Sequence, residues 1–143
     1  MIAYRKLDFA KDWTFISGFI SPILCADTCG IIAHNDQGEY KACAVFDSFT
    51  VSSCNVHLGI KSPIVLRHGF LPIVAEFAFN FLKRERIFGL TPDNNFAAIK
   101  FNKHIGMQEV ARIPDAYDEG VGYVVTRMDK ATSPWLQVQE KAA

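Results

Sequence analysis

Between Gly30 and Ile60 the chain runs through three β-forming stretches, GIIAHN, EYKACAVFDSF and VSSCNVHLGI, and from Phe70 onward its apolar residues return at helical spacing instead. That change of period is the strongest constraint on the fold. The first two stretches are joined by a turn at Asp36-Gln37-Gly38 and the last two nearly abut, so they pair as an antiparallel meander. One face of such a meander has to be covered, and the segment after Pro63 supplies the cover. Phe70, Val74, Phe77 and Phe81 form a stripe, Leu71, Ala78 and Leu82 widen it, and Glu76, Asn80, Lys83 and Arg84 take the opposite side. The reading is a long amphipathic helix. Its Lys83-Arg84 end suits the negative pole of the helix dipole, which accounts for the KRER run without a nucleic-acid patch.

The remaining elements are arranged around this pair. Residues 2–9 read as a short strand, and Asp12 is the expected N-cap of a segment with Trp13, Ile16, Phe19 and Ile20 that Pro22 interrupts, giving one or two short helices across 12–28. After the long helix, RIFGLT reads as a strand. Residues 94–107 read as a helix capped by Asp93, Asn94 or Asn95 and stopped by Gly106, with Ala98, Phe101 and Ile105 as its buried stripe and Phe96 and Ile99 beside it. QEVARIP and GVGYVVTRM bracket a polar turn at 115–120 and make a hairpin. A helix between two strands implies a parallel pair, whereas meander and hairpin are antiparallel. The expected fold is therefore α/β, one mixed and mostly antiparallel sheet with helices on both faces, forming a single domain over residues 1–129. A polar, loosely held tail with a lone Trp135 follows at 130–143.

Composition then removes function classes. The 143 residues are 50% hydrophobic and carry 15 basic against 15 acidic side chains, enough for one packed core and without the basic footprint of a nucleic-acid binder. No apolar run approaches the roughly 18 residues of a membrane span and no export signal is read at the start, so the expectation is a cytoplasmic protein with no membrane partner. Cys25, Cys29, Cys43 and Cys54 then read as reduced thiols, and Cys25 and Cys29 with His34 make at most half a zinc site, so no metal is expected. Phosphate-binding GxxxxGK[ST], dinucleotide-binding GxGxxG, HExxH and GxSxG motifs are not found in the sequence.

Within the helix at 94–107, Asn95, Ala98, Ile99, Gly106 and Met107 resemble the Asn-x-x-Ala-Ile … Gly-Met helix of the GNAT family of N-acetyltransferases. The element order over about residues 2–128 is similar to that family's acyl-CoA N-acyltransferase fold. The resemblance implies a gap where two parallel strands part after the meander, with acetyl-CoA (coenzyme A) lying in it and its pyrophosphate at the start of the next helix. A diphosphate needs free backbone N–H groups and a helix positive pole pointing one way. Arg67, His68, Gly69, Phe70 and Leu71, followed by Pro72, have those makings. The stretch departs from the family's Arg/Gln-x-x-Gly-x-Gly/Ala pattern in keeping one glycine and in the longer approach through 62–65.

The implied chemistry is acetyl transfer to the primary amine of a small molecule or protein. It asks for a base, for N–H groups on the third meander strand to steady the thioester oxygen, and for an acid on the leaving thiolate. Leu58 and Ile60 lie on that strand, and His57 is its only titratable side chain between 55 and 60, hence the candidate base. Where the family often has an acidic tyrosine, seven residues after the motif asparagine, this chain has Asn102, a cofactor-contact candidate with Asn95. Tyr123 is the candidate acid in its stead. Trp13, Phe15, Phe19, Tyr117 and Asp118 are candidate linings of the acceptor pocket, and two copies are expected to pair, if they pair, through the terminal hairpin. The alternative is a non-catalytic structural or binding protein of the same fold, since the sequence also resembles small internal virion proteins of some tailed phages.

Overall fold

The computed structural model describes residues 1–136. Seven strands form one sheet: β1 (Ala3–Lys6), β2 (Cys29–His34), β3 (Tyr40–Asp47), β4 (Ser53–Ile60), β5 (Arg86–Pro92), β6 (Gln108–Asp118) and β7 (Val121–Asp129), in the order β1-β2-β3-β4-β5-β7-β6. Every neighbouring pair is antiparallel except β4 and β5, which are parallel. The mixed sheet expected from the alternation of meander, helix, strand, helix and hairpin is the one observed. No helix among the described residues is long and apolar enough to cross a membrane.

Side-chain alternation gives the sheet two covered faces. Ala42, Ala44 and Phe46 of β3 and Cys54 and Val56 of β4 turn toward α2 (Phe70–Ala75), where Phe70, Val74 and Ala75 meet them in the larger core. Cys43 and Val45 turn the other way, onto Ile16 of α1 (Phe9–Ser17). Packing on both faces is why the meander strands are nearly continuous apolar runs.

Three local departures from the sequence reading have identifiable causes. The cap of α1 is Asp8, whose side chain accepts the Ala10 amide, and Asp12 is instead buried at the helix's inner side. There it receives two bonds from the Arg5 guanidinium at 2.8 and 2.7 Å and one from the Tyr40 hydroxyl at 2.8 Å. The long helix continues from α2 as a π-helix, Glu76–Phe81, with the Leu82 amide reaching back to the Phe77 carbonyl at 2.8 Å. The wider winding moves Phe81 off the buried face. It is 57% exposed, stacked on Phe77 and capped by the Lys6 ammonium at 4.3 Å from its ring. Residues 130–136 are not loose. Lys130–Thr132 make a 3-10 turn, Trp135 and Leu136 are buried in the larger core, and the Trp135 indole donates to the Ile105 carbonyl at 2.6 Å. The rest of the expected tail, 137–143, lies outside the described residues.

α3 (Phe96–His104) follows the sequence reading closely at its ends. The Asn95 side chain accepts the Ala98 amide at 3.2 Å. At the other end the Met107 amide bonds the Asn102 carbonyl and the Gly106 amide the Lys103 carbonyl, a Schellman closure that requires the positive φ of +104° found at Gly106. The hairpin is longer than expected: β6 runs to Asp118, and the polar segment is a break in the ladder between Ile113 and Asp118, closed by the Gly120 amide on Asp115.

Candidate active site

β4 and β5 pair only at Ser53↔Arg86, Cys54↔Ile87 and Asn55↔Phe88, and then separate. Each keeps its other partner past that point: β4 stays on β3 as far as Ile60, and β5 stays on β7 as far as Pro92. The sheet is thus two half-sheets hinged at 53–55, with a gap opening toward the strands' C-terminal ends. The Lys61 amide bonds the Lys41 carbonyl at 2.9 Å, and these two residues continue the Ala42↔Ile60 register. Hydrogen-bonded pairs alternate along an antiparallel ladder, so Asn55, His57 and Gly59 direct their backbone groups at β3. Val56, Leu58 and Ile60 direct theirs to the other side: the Val56 amide closes the last β4–β5 bridge on Phe88, and Leu58 and Ile60 face the gap, where β5 no longer meets them.

The gap belongs to a cleft of about 510 Å³. His57, Leu58, Asn95, Asn102 and Tyr123 all line it, so five residues far apart in sequence are brought to one place. Ile60, Arg67, His68, Gly69, Phe70 and Leu71 are not in its lining and lie along the approach from β4 to α2. There a 3-10 helix, Pro63–His68, ends on Gly69, which adopts φ +81° and opens α2. A Cβ built on Gly69 meets nothing within 4 Å, so the start of α2 is open there, and half-buried Leu71 in the first helical turn has an amide with no intrahelical acceptor. Phe70, expected to contact the cofactor, is instead fully buried, backbone included, and presents no amide to the surface. Tyr4 ties the loop to β1 by donating to the His68 carbonyl at 2.7 Å, and Arg67 is exposed.

Two polar side chains already have partners. Asn102 donates to the Thr91 hydroxyl at 3.1 Å, bridging α3 to β5, and Asn95 spends its side-chain oxygen on the cap. The sequence reading missed Asp47. Its carboxylate lies 2.8 Å from Nε2 of His57 and also accepts the Ile23 amide at 2.6 Å, while the side chain is 1% exposed. Burial pushes the Asp47 carboxyl up, but the bonds from His57 and Ile23 outweigh it and hold the carboxyl below its usual range. The carboxylate thus accepts the Nε2 proton and leaves Nδ1 as the ring nitrogen with a lone pair. The signal was present in the sequence: an aspartate closes the apolar run 42–46 ten residues before His57, and antiparallel pairing of Asp47 with Asn55 sets it diagonally across from His57.

Of the expected acceptor linings, Phe19 and Tyr117 do line the cleft. Trp13 and Phe15 instead pack on the smaller core beneath α1, and Asp118 accepts the Glu119 amide outside it. The segment after α1 closes this side. The Thr28 hydroxyl donates to the Ile23 carbonyl at 2.6 Å and accepts the Cys25 amide at 3.0 Å, and Asp47 anchors Ile23 to the sheet.

No protein-family model matches the sequence, and no curated protein does either. Solved structures do match the fold. A mutant spermidine N-acetyltransferase from Vibrio cholerae superimposes with a TM-score of 0.73 at 12% identity, covering 96% of this chain and 98% of the other. A spermidine/spermine N-acetyltransferase from the same organism, solved with manganese ions, gives 0.72 at 10% identity over 99% and 97%. A protein from Desulfovibrio desulfuricans assigned to the GNAT acetyltransferases gives 0.73 at 13% identity over 91% and 99%. The chain therefore has the fold of these acetyltransferases over almost all of its described residues.

Proposed function

We propose that the protein is an acetyl-CoA-dependent N-acetyltransferase acting on a primary amine. The observation that carries this reading is the parted β4–β5 pair, with unpaired main-chain amides on one wall and the His57–Asp47 dyad beside them. An unpaired strand edge is suited to an extended ligand bearing its own amides, and the Leu58 and Ile60 N–H groups supply donors for such a ligand and for the thioester oxygen. The diphosphate would take the Leu71 amide at the open start of α2, with charge from Arg67. His57 Nδ1 removes a proton from the amine, whose nitrogen then forms a bond to the acetyl carbon as the carbon–sulfur bond breaks. The departing thiolate takes a proton, for which Tyr123 is the donor in the cleft, since Asn102 is engaged with Thr91 and has no acidic proton. The spermidine acetyltransferases of the same fold support a small-molecule amine as acceptor. Pairing of two copies through β6, exposed along all of its length, is part of the same proposal.

The test is ligand-linked stability. Acetyl-CoA at about a hundred times its dissociation constant should add about 2.7 kcal/mol to unfolding, read as a rise in Tm. Gly69→Val, which fills the open approach at the start of α2, should abolish the rise. An unmoved Tm at millimolar acetyl-CoA would overturn the reading in favour of a non-catalytic domain of this fold.

A further inference from the structure

We infer that the acceptor is a small primary amine carrying a single positive charge on an otherwise apolar, preferably aromatic, body. The inference rests on the acetyltransferase reading above and concerns the acceptor half of the same cleft. Among the described lining residues the ionisable side chains are Asp47, His57, Tyr117 and Tyr123, and none is Lys, Arg or Glu. Asp47 is the sole carboxylate there, and it is buried and shared between His57 and the Ile23 amide. A polyamine brings a second ammonium that this cleft does not neutralise, and a free amino acid brings a carboxylate that meets no cation. Leaving either charge in an apolar wall forfeits its hydration without a partner.

What the mouth offers instead is apolar surface. Phe19, Ile23, Leu90 and Tyr117 line the cleft while each stays 40% or more exposed, and Tyr117 packs edge-on against Tyr123 at 5.7 Å between ring centroids. Large apolar side chains left open at the rim of a concave site mark the surface a ligand covers. The two tyrosines add ring faces for an ammonium on its way to His57. Charge complementarity and shape therefore select the same class of acceptor, one that differs from the polyamines acetylated by the spermidine enzymes of this fold.

The experiment compares 2-phenylethylamine, spermidine and phenylalanine on the full chain, by coenzyme A release with acetyl-CoA and by calorimetric titration of each amine into the protein–coenzyme A complex. The expected result is a kcat/KM for 2-phenylethylamine at least tenfold above both others, with the same order of binding. Tyr117→Glu, which sets a carboxylate at the mouth, should narrow the gap to spermidine about tenfold. Preference for spermidine or phenylalanine, or no binding of 2-phenylethylamine by a protein that does bind acetyl-CoA, overturns the inference and leaves the transferase reading standing. Failure to bind acetyl-CoA removes that reading, and the inference with it.

Discussion

Asp47 and Asp12 are both buried carboxylates held ionised by a cationic or hydrogen-bonding neighbour, yet the two have different consequences. Asp47 acts through His57. In Asp47→Asn the ring loses the acceptor that fixes its tautomer, and kcat/KM for acetyl transfer should fall about 100-fold, within the range usual for one positioned proton transfer. His57→Ala should cost a similar factor and the double variant little more, because the two groups act as one unit. The Tm rise given by acetyl-CoA should survive in all three, which separates a positioning role from a general loss of structure. Asp12, by contrast, joins α1 to β1 and β3. Burial pushes its carboxyl up, but Arg5, the Asp8 amide and Tyr40 together hold it down at about 2 against an ordinary 3.8. A carboxyl whose folded value lies below its unfolded one stabilises above the unfolded value and ceases to do so as pH falls through the folded one. This contribution should therefore be complete at neutral pH and disappear between about pH 4 and pH 2. Asp12→Asn, followed by urea unfolding at neutral pH, should cost about 2 kcal/mol, the scale of a hydrogen bond to a charged group.

At the scale of the element, α3 shows how a helix can be written almost entirely in local chemistry. Its first cap is Asn95 and its last turn is closed around Gly106, the two residues at which side-chain and backbone demands are strictest. Gly106→Ala should destabilise by about 1–3 kcal/mol, since a non-glycine residue at φ +104° is strained and its Cβ would stand 2.8 Å from Cγ of Pro134. Calorimetric unfolding measures the loss. The same locality explains how much of the fold was legible. Turns, caps and hydrophobic period are functions of neighbouring residues, and they delivered the order of elements along the chain, the presence of a parallel pair and the position of α3. What depends on distant partners was not legible. The π-helix over 76–81 keeps the apolar spacing of an α-helix, so nothing local distinguishes it, and Phe81 leaves the core as a result. Asp12 looks like a cap in sequence because its real partner, Arg5, lies on another element. The site followed the same division: His57 was visible as the one titratable side chain between 55 and 60, and Asp47 became meaningful only once the β3–β4 register set it across from that ring.

For the whole molecule, the cleft depends on how two half-sheets and the helices spanning them are held at a fixed separation. Near its narrow end the connection is hydrogen-bonded, through the three paired residues of β4 and β5. Near its open end the wall is α3, which contributes Asn95, Ala98, Phe101 and Asn102 and is fastened to β5 by the Asn102 bond to Thr91. The far end of α3 is fastened by residues after β7: Trp135, 3% exposed, donates to the carbonyl of Ile105, the helix's C-cap, and Pro134 abuts Gly106. The segment beyond β7 is therefore a clamp on one wall of the site. Trp135→Ala should lower stability by about 3–5 kcal/mol, the cost of truncating a buried aromatic, while Trp135→Phe should cost only about 1–2 kcal/mol for the lost bond to Ile105. Amide exchange should quicken selectively in α3 of the Ala variant, and its affinity for acetyl-CoA should drop although Trp135 is not in the cleft lining. Unchanged urea midpoints in both variants would show that 130–136 do not clamp the helix, and the open wall would then have to be held by the Asn102–Thr91 bridge alone.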